Sequence, residues 1–528
     1  VLIDARALPN DHTLRADVCV VGAGAAGLTI AQALARADLR TVVLESGDTH
    51  ARRDTQRLYQ GTIIGHAYYA LDTCRFRTLG GTTSVWGGWC RPLDAVDFEP
   101  FESTRCSGWP FAKSELDPFY ARAEAICRLA PSDGDDRAWN IGGAPPLIRR
   151  DCALFETVTF QVQPTRFGDV YRAPLQRSRN VDLLLNASVV DLAYHARGGT
   201  VTSLRCATLR GNSITVKADT VVLAAGGVEN ARILLTSNGP RGHAVGNEHD
   251  LVGRYFFDHL HVTLGVTRAA GDSGQYYQLH RRDGVAVRRG LVPTDSARRE
   301  SRTRGFAVTL HNARDPSDVV GPGQRFAAYV SLQTLAAGVR NREWPEHGLH
   351  HLWNAGIRLP DVCRHVYRRF VKPPATTLLI GCRAEQVPTP ESRVTLDRSR
   401  DRLGVPRVRL DWRVSSEDLT GLTRAQALIA DALADDSVRL FHFGEDARRA
   451  HPVWGGAHHM GTTRMARDPR HGVVDEHGRV HSARNLYVAG SSVFPTGGWA
   501  PPTLTIVALA LRLADHLATD TSQRYATA

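Results

Sequence analysis

The chain has 528 residues, of which 42% are hydrophobic and 23% charged, and carries a formal net charge of +11. These proportions are those of an ordinary globular protein, and the length supports a large core in two intimately joined domains rather than a disordered or fibrous chain. The positive charge does not mark a nucleic-acid binder, because Lys113, Lys217 and Lys372 are the only lysines, the arginines are scattered over the whole length, and no recognition motif is present.

Nine cysteines, an odd number, form no C-x-x-C and no metal-like cluster. The pattern predicts reduced, buried thiols in a cytoplasmic protein, with no metal site. Residues 1–16 hold no basic stretch followed by an apolar run, so no secretory signal is expected. No membrane span is expected either. The apolar run from Leu504 to Leu511 breaks at Arg512 and Asp515, too short for a bilayer, and reads as a buried C-terminal helix.

From Asp17 to Glu45 the chain predicts strand, glycine turn, helix and strand in order. Ala25–Ala37 is rich in Ala and Leu, and residues 41–44 form a fully apolar strand, as in a parallel sheet covered on both faces. Gly22, Gly24 and Gly27 follow the first strand and open the helix. Such glycines allow a tight turn and bring backbone N–H groups and the helix N-terminus to a pyrophosphate. Glu45 closes the next strand, where a carboxylate can bond the ribose hydroxyls of a dinucleotide. The motif by itself does not separate NAD from FAD.

The stretch from Ser46 to Pro110 is irregular and glycine-rich, ending in the run Gly80–Gly88, and predicts a loop over a ligand. Residues 113–129 predict a helix opened by Ser114. Residues 181–223 alternate between turn signals and predict a β-meander, which leads into an apolar strand closed by Ala225, Gly226 and Gly227 and then a helix from Val228 to Ser237. Strand-like segments follow at 326–332, 376–380 and 393–396, and a proline-broken stretch near 340–374 reads as a possible lid. The last hundred residues return to the sheet through Asn485–Ala489.

Beyond the opening fingerprint, four further segments carry a resemblance. They are Ala225-Gly226, the run from Glu385-Gln386 to Leu396, His458-x-x-Gly461-Thr-x-Arg464-Met465, and Ala489-Gly490-Ser491. Together they resemble the glucose–methanol–choline (GMC) oxidoreductases over nearly the whole length. Residues 494–496 and 502–505 are similar to the branch of pyranose-oxidase-like bacterial sugar oxidases and dehydrogenases. The resemblance implies an α/β fold, an FAD-binding Rossmann-like domain with a discontinuous substrate domain built on an antiparallel sheet. It divides the chain into FAD-binding parts at 1–110, 180–261 and 445–528, with substrate-side parts at 111–179 and 262–444.

By the same resemblance, the Gly80–Gly88 loop passes over the flavin ring and the segment around Gly490 meets its pyrophosphate and ribityl chain. The implied cofactor set is Gly22, Gly24, Gly27, Glu45, Gly81, Ser84, Val85, Val190, Ala225, Gly226, Gly490, Ser491 and Thr503. His458 matches the family's active-site base, and imidazole suits that task near neutrality. His459 reads as structural. Where the branch often carries a flavin-linking histidine, this chain has Val85, so FAD is expected to be held noncovalently.

Pro501 stands where the family usually has an Asn or His that shares the substrate oxygen with the base, and proline offers no donor. Trp499 either replaces that donor through its indole N–H or packs against the flavin loop. Glu385 and Gln386 either bind substrate hydroxyl or amino groups or end a strand structurally.

The expected activity is oxidation of a hydroxyl on a sugar, glycoside or sugar-bearing metabolite, with oxygen or another electron acceptor. The alternative is a tailoring enzyme of specialised metabolism performing desaturation, lyase or cyclisation chemistry. A non-catalytic flavin- or nucleotide-binding module and an NAD-dependent dehydrogenase are the weaker readings.

Overall fold

The central strand His12–Val21 ends in a run with almost no exposed surface, Val18 to Val21, which only a strand with neighbours on both sides and cover on both faces can accommodate. In the computed structural model it pairs in parallel with Thr41–Leu44 on one side and Ser213–Leu223 on the other. Val181–Leu185 and then Leu2–Asp4 extend the sheet beyond Thr41–Leu44, all parallel. The structure describes residues 1–100, 108–130, 146–149, 151–195, 197–239, 243–268, 273–282, 284–313, 377–433, 438–441 and 452–527.

Ser213–Leu223 is long enough to serve two partners. Its first half pairs antiparallel with Thr200–Ala207, which pairs with Ser188–His195, while its last three residues take Leu486–Val488 in parallel. The meander expected from residue 181 therefore starts at Ser188, because Val181–Leu185 is a core strand of the parallel sheet. The helix Ala25–Leu34 packs against the final helix Thr503–Thr527, which in turn packs against Asp117–Cys127. Asp117–Cys127 starts later than Ser114 predicts, since Lys113–Glu115 forms a separate 3-10 turn.

A second, antiparallel sheet runs in the order Arg439–Leu440, His259–Arg268, Thr377–Glu385, Phe306–Ala313, Val285–Pro293, Phe155–Val162 and Trp89–Cys90. Trp454–Gly455 adds to the edge of His259–Arg268. Along Thr377–Glu385 buried and half-buried residues alternate, with Leu379, Gly381 and Arg383 on the more open face. Period-two alternation leaves one face of this strand packed and the other more open. A small third sheet joins Arg393–Arg400, Pro406–Trp412 and Gly61–Gly65. The strand expected at 326–332 and the possible lid at 340–374 lie outside the described residues. Among the described residues no helix is long and apolar enough to cross a membrane.

Candidate active site

Three sharp turns meet at the C-terminal ends of the parallel strands. In the first, Gly22 has φ +103° and Gly27 sits so close that a Cβ there would lie 1.9 Å from the Gly22 carbonyl oxygen. Only glycine fits that helix–strand contact. Gly24 differs, because a Cβ on it would meet nothing within 4 Å, and the same holds for Gly226 and Gly490 in the second and third turns. Packing thus closes around Gly22 and Gly27 and leaves a continuous group of backbone positions facing open space. Glu45 receives hydrogen bonds from Ala23 N at 3.0 Å and Gly47 N at 2.7 Å, and burial raises its pKa.

The Gly80–Gly88 loop is tied to this cradle. Gly80 N donates to the Ala23 carbonyl at 2.8 Å, and a Cβ on Gly81 would lie 3.1 Å from the Gly24 Cα. Arg166 holds the loop from outside, donating to the Thr83 and Trp86 carbonyls at 3.0 Å each. The Ser84 hydroxyl is buried without a hydrogen-bond partner, and Val85, beside it, carries no group able to bond covalently to a flavin. Thr503 opens the long last helix, whose positive end favours negative charge. Open glycine positions, an orphaned hydroxyl and a helix N-terminus are together the donor set a dinucleotide needs, so these residues fit FAD. Val190 is half-buried at an irregularity in Ser188–His195.

Asn230 stitches the second and third turns together. It is fully buried, accepts from Ala225 N at 2.8 Å, and donates to the Ala489 carbonyl at 3.1 Å and the Ser492 hydroxyl at 2.9 Å. The histidine segment is clamped to the same place. The Ser491 hydroxyl donates to the His459 carbonyl at 2.7 Å, and Gly227 leaves no room for a Cβ, which would lie 2.1 Å from that carbonyl oxygen.

His458 follows Ala457, a non-glycine residue at φ +58°. Its backbone N–H donates to Asp258 Oδ1 at 2.9 Å, and His259 N donates to the same oxygen at 2.7 Å. The Tyr68 hydroxyl donates to Asp258 Oδ2. Burial nevertheless pushes Asp258 up to about 6.

The rings of His458 and His259 meet through their Nδ1 atoms at 2.8 Å, so one of the two must carry the hydrogen. His259 Nε2 lies 3.0 Å from the Gly498 carbonyl oxygen, which can only accept. His259 is therefore protonated on Nε2 and offers a lone pair at Nδ1. It follows that His458 carries its hydrogen on Nδ1 and presents an unprotonated Nε2. Burial, assisted by His259, His261 and Arg383, drives the pKa of His458 well below 6.5. Such a group is a neutral imidazole able to take one proton at Nε2.

Three candidate substrate contacts are engaged within the protein itself. Trp499 is 1% exposed and its indole N–H donates to Asp94 Oδ2 at 2.7 Å, so it packs rather than replacing the missing donor at Pro501. Glu385 accepts from Gly497 N at 3.0 Å and lies 3.7 Å from Arg304. Gln386 is fully buried, accepting from Asp258 N and Trp412 Nε1 and donating to the Arg413 carbonyl. Both hold the scaffold behind the histidines. His459 is buried beside Cys74, Tyr68 and Phe256, as its structural reading requires.

The residues missed in the sequence are His259, His261 and Arg383. His259 and His261 are two apart on one strand, hence on one face, and that spacing was the available signal. Arg383 lies opposite His261 on the next strand. It donates from Nε to the Trp499 carbonyl at 2.8 Å, while its Nη2 and His261 Nε2 are buried without partners.

Comparison with known proteins agrees with the cradle and the sheet. Residues 17–287 match the family model described as FAD dependent oxidoreductase, and residues 388–510 match that described as GMC oxidoreductase. The chain is 26% identical to the 6'''-hydroxyparomomycin C oxidase of Streptomyces lividus, over 96% of this chain and 92% of that protein. It is 23% identical to the fructose dehydrogenase large subunit of Gluconobacter japonicus, over 97% and 100%. The solved structure of pyridoxine 4-oxidase from Mesorbium loti shares the fold with a TM-score of 0.57 at 19% identity, covering 95% of this chain and 98% of that one.

Proposed function

The chain belongs to the FAD-dependent oxidoreductases of the GMC type, and from that premise we propose that it oxidises a hydroxyl group on a sugar, glycoside or sugar-bearing metabolite. FAD, when bound, supplies the hydride acceptor at N5. His458 Nε2 takes the hydroxyl proton as the carbon–hydrogen bond breaks, so that the alcohol becomes a carbonyl without a free alkoxide. His259 keeps that nitrogen unprotonated by accepting the hydrogen on the other side of the His458 ring. Gly24, Gly226, Gly490 and Ser84 would hold the cofactor, and Val85 leaves it noncovalent.

The observation that carries this reading is the assigned tautomer, since a positioned base needs its lone pair free. The names of the relatives, a fructose dehydrogenase and a hydroxyparomomycin oxidase, support the substrate class. The alternative chemistry of desaturation, lyase or cyclisation drew on the absent polar group at Pro501. Unpartnered nitrogens on His261 and Arg383 weaken that argument, because polar groups do face the histidine cluster. The test is anaerobic mixing of FAD-loaded H458A with a sugar that bleaches the wild-type flavin. Flavin reduction should slow by about 10²–10⁴-fold at unchanged FAD content, and an unimpaired rate would remove His458 from the mechanism.

A further inference from the structure

Two cations on the wall beside His458 have no counter-charge among the described residues. Arg383 and Arg288 come from different strands of the antiparallel sheet and converge on Trp89, with guanidiniums 5.8 and 5.5 Å from its ring centroid. Arg383 also lies 5.4 Å from the Phe160 ring, and Phe160 is the cross-strand partner of Arg288. Arg288 donates to the Leu310 carbonyl at 3.1 Å and to His311 Nδ1 at 2.8 Å. Every partner named for either guanidinium is neutral. Arg383 Nη2 and Arg288 Nε are buried with no partner among the described residues.

Elsewhere this fold treats buried arginines differently. Arg75, Arg77 and Arg232 surround Glu229, with Arg232 also 2.5 Å from Asp401, and Arg298 lies 3.0 Å from Asp97. The acids nearest the histidine cluster are already engaged, Asp258 by Tyr68 and two backbone N–H groups and Glu385 by Arg304 and Gly497. A guanidinium without a carboxylate is costly to bury, and a ligand oxyanion is the group that relieves it, by charge-assisted hydrogen bonds to the planar fork.

We propose that the substrate carries an oxyanion, a carboxylate or a phosphate on the sugar, and that Arg383 and Arg288 bind it beside His458. The proposal rests on the sugar-oxidising reading only for the scaffold that bears the charge. Burial lowers both arginines to about 10, the direction expected of cations whose partner comes from outside the protein. Recognition of the anion sets which sugar enters and how it is turned toward His458, and disfavours amino sugars by like-charge repulsion.

Calorimetric titration of the FAD-loaded protein at low ionic strength tests this, using D-glucuronate, D-glucose 6-phosphate, D-glucose and D-glucosamine. One of the two anionic sugars should bind at least about tenfold more tightly than glucose, with glucosamine weakest. Whichever anion prevails identifies the oxyanion. The preference should vanish in R383Q, shrink in R288Q and partly survive in R383K, which keeps the charge and controls for misfolding together with flavin absorbance. Glucose binding as well as both anions, no binding of either anion, or a preference surviving R383Q and R288Q together would overturn the proposal. Flavin bleaching separates it from the functional reading. Arginine-dependent anion binding without bleaching counts against sugar oxidation alone, and bleaching by glucose without anion preference counts against the arginines alone.

Discussion

Imidazoles that face each other through Nδ1 must divide the roles of donor and acceptor, and the Gly498 carbonyl decides the division between His259 and His458. His259 is then a positioning residue with a measurable signature. In H259L the His458 N–H loses its acceptor in a buried setting, a penalty of about 1–3 kcal/mol. The expected result is a ten- to hundredfold slower flavin reduction, roughly that energy in rate, with KM nearly unchanged and a displaced acid limb of the pH profile. For the wild type the sign of that limb is set by burial. The base works deprotonated and its pKa lies below 6.5, so kcat/KM should hold as pH falls through 6.5 and drop only at the lower value. Trp499 gives the opposite kind of test. Because its N–H belongs to Asp94, W499F should lower thermal stability by about 1–2 kcal/mol and leave kcat/KM within a few-fold, whereas a collapse of kcat/KM would return it to the substrate.

At the scale of elements, what matters is how three turns from distant parts of the chain are held in one cradle. Asn230 bridges two of them with three buried hydrogen bonds. N230A strands an N–H and a carbonyl and should cost about 2–4 kcal/mol, read in thermal unfolding together with reduced FAD occupancy. The glycines separate packing from binding. A Cβ in G27A would strike the Gly22 carbonyl oxygen at 1.9 Å, so that variant should fail to fold. G490A places its methyl in open space at φ +102°, a strain of about 1–3 kcal/mol, and should yield folded protein poor in flavin. Equal flavin content in G490A and wild type would mean that the third turn does not meet the cofactor.

Across the whole molecule, the antiparallel sheet lays a group of histidines against the parallel one, and buried imidazoles make stability depend on pH. His259 and His459 fall to about 3 through burial. Between that value and 6.5 the unfolded chain binds protons that the folded chain cannot, so stability is complete above 6.5 and is lost progressively as pH falls. Thermal midpoints should decline steadily from roughly pH 6.5 to 4, and a flat profile would contradict the burial. The sequence by itself determined the parallel core and its suitability for a dinucleotide, because an apolar strand, a glycine turn with a helix behind it, and a terminal acid are local signals, each readable within thirty residues. It also singled out His458, whose segment has a recognisable spacing. Tertiary structure alone decided what surrounds that histidine. Whether Trp499, Glu385 and Gln386 face substrate or scaffold depends on Asp94, Gly497 and Trp412, partners distant in sequence that the fold alone brings into contact. The tautomer of His458 and the unpaired charge of Arg383 arise in the same way, from contacts between segments distant in sequence that no local pattern encodes.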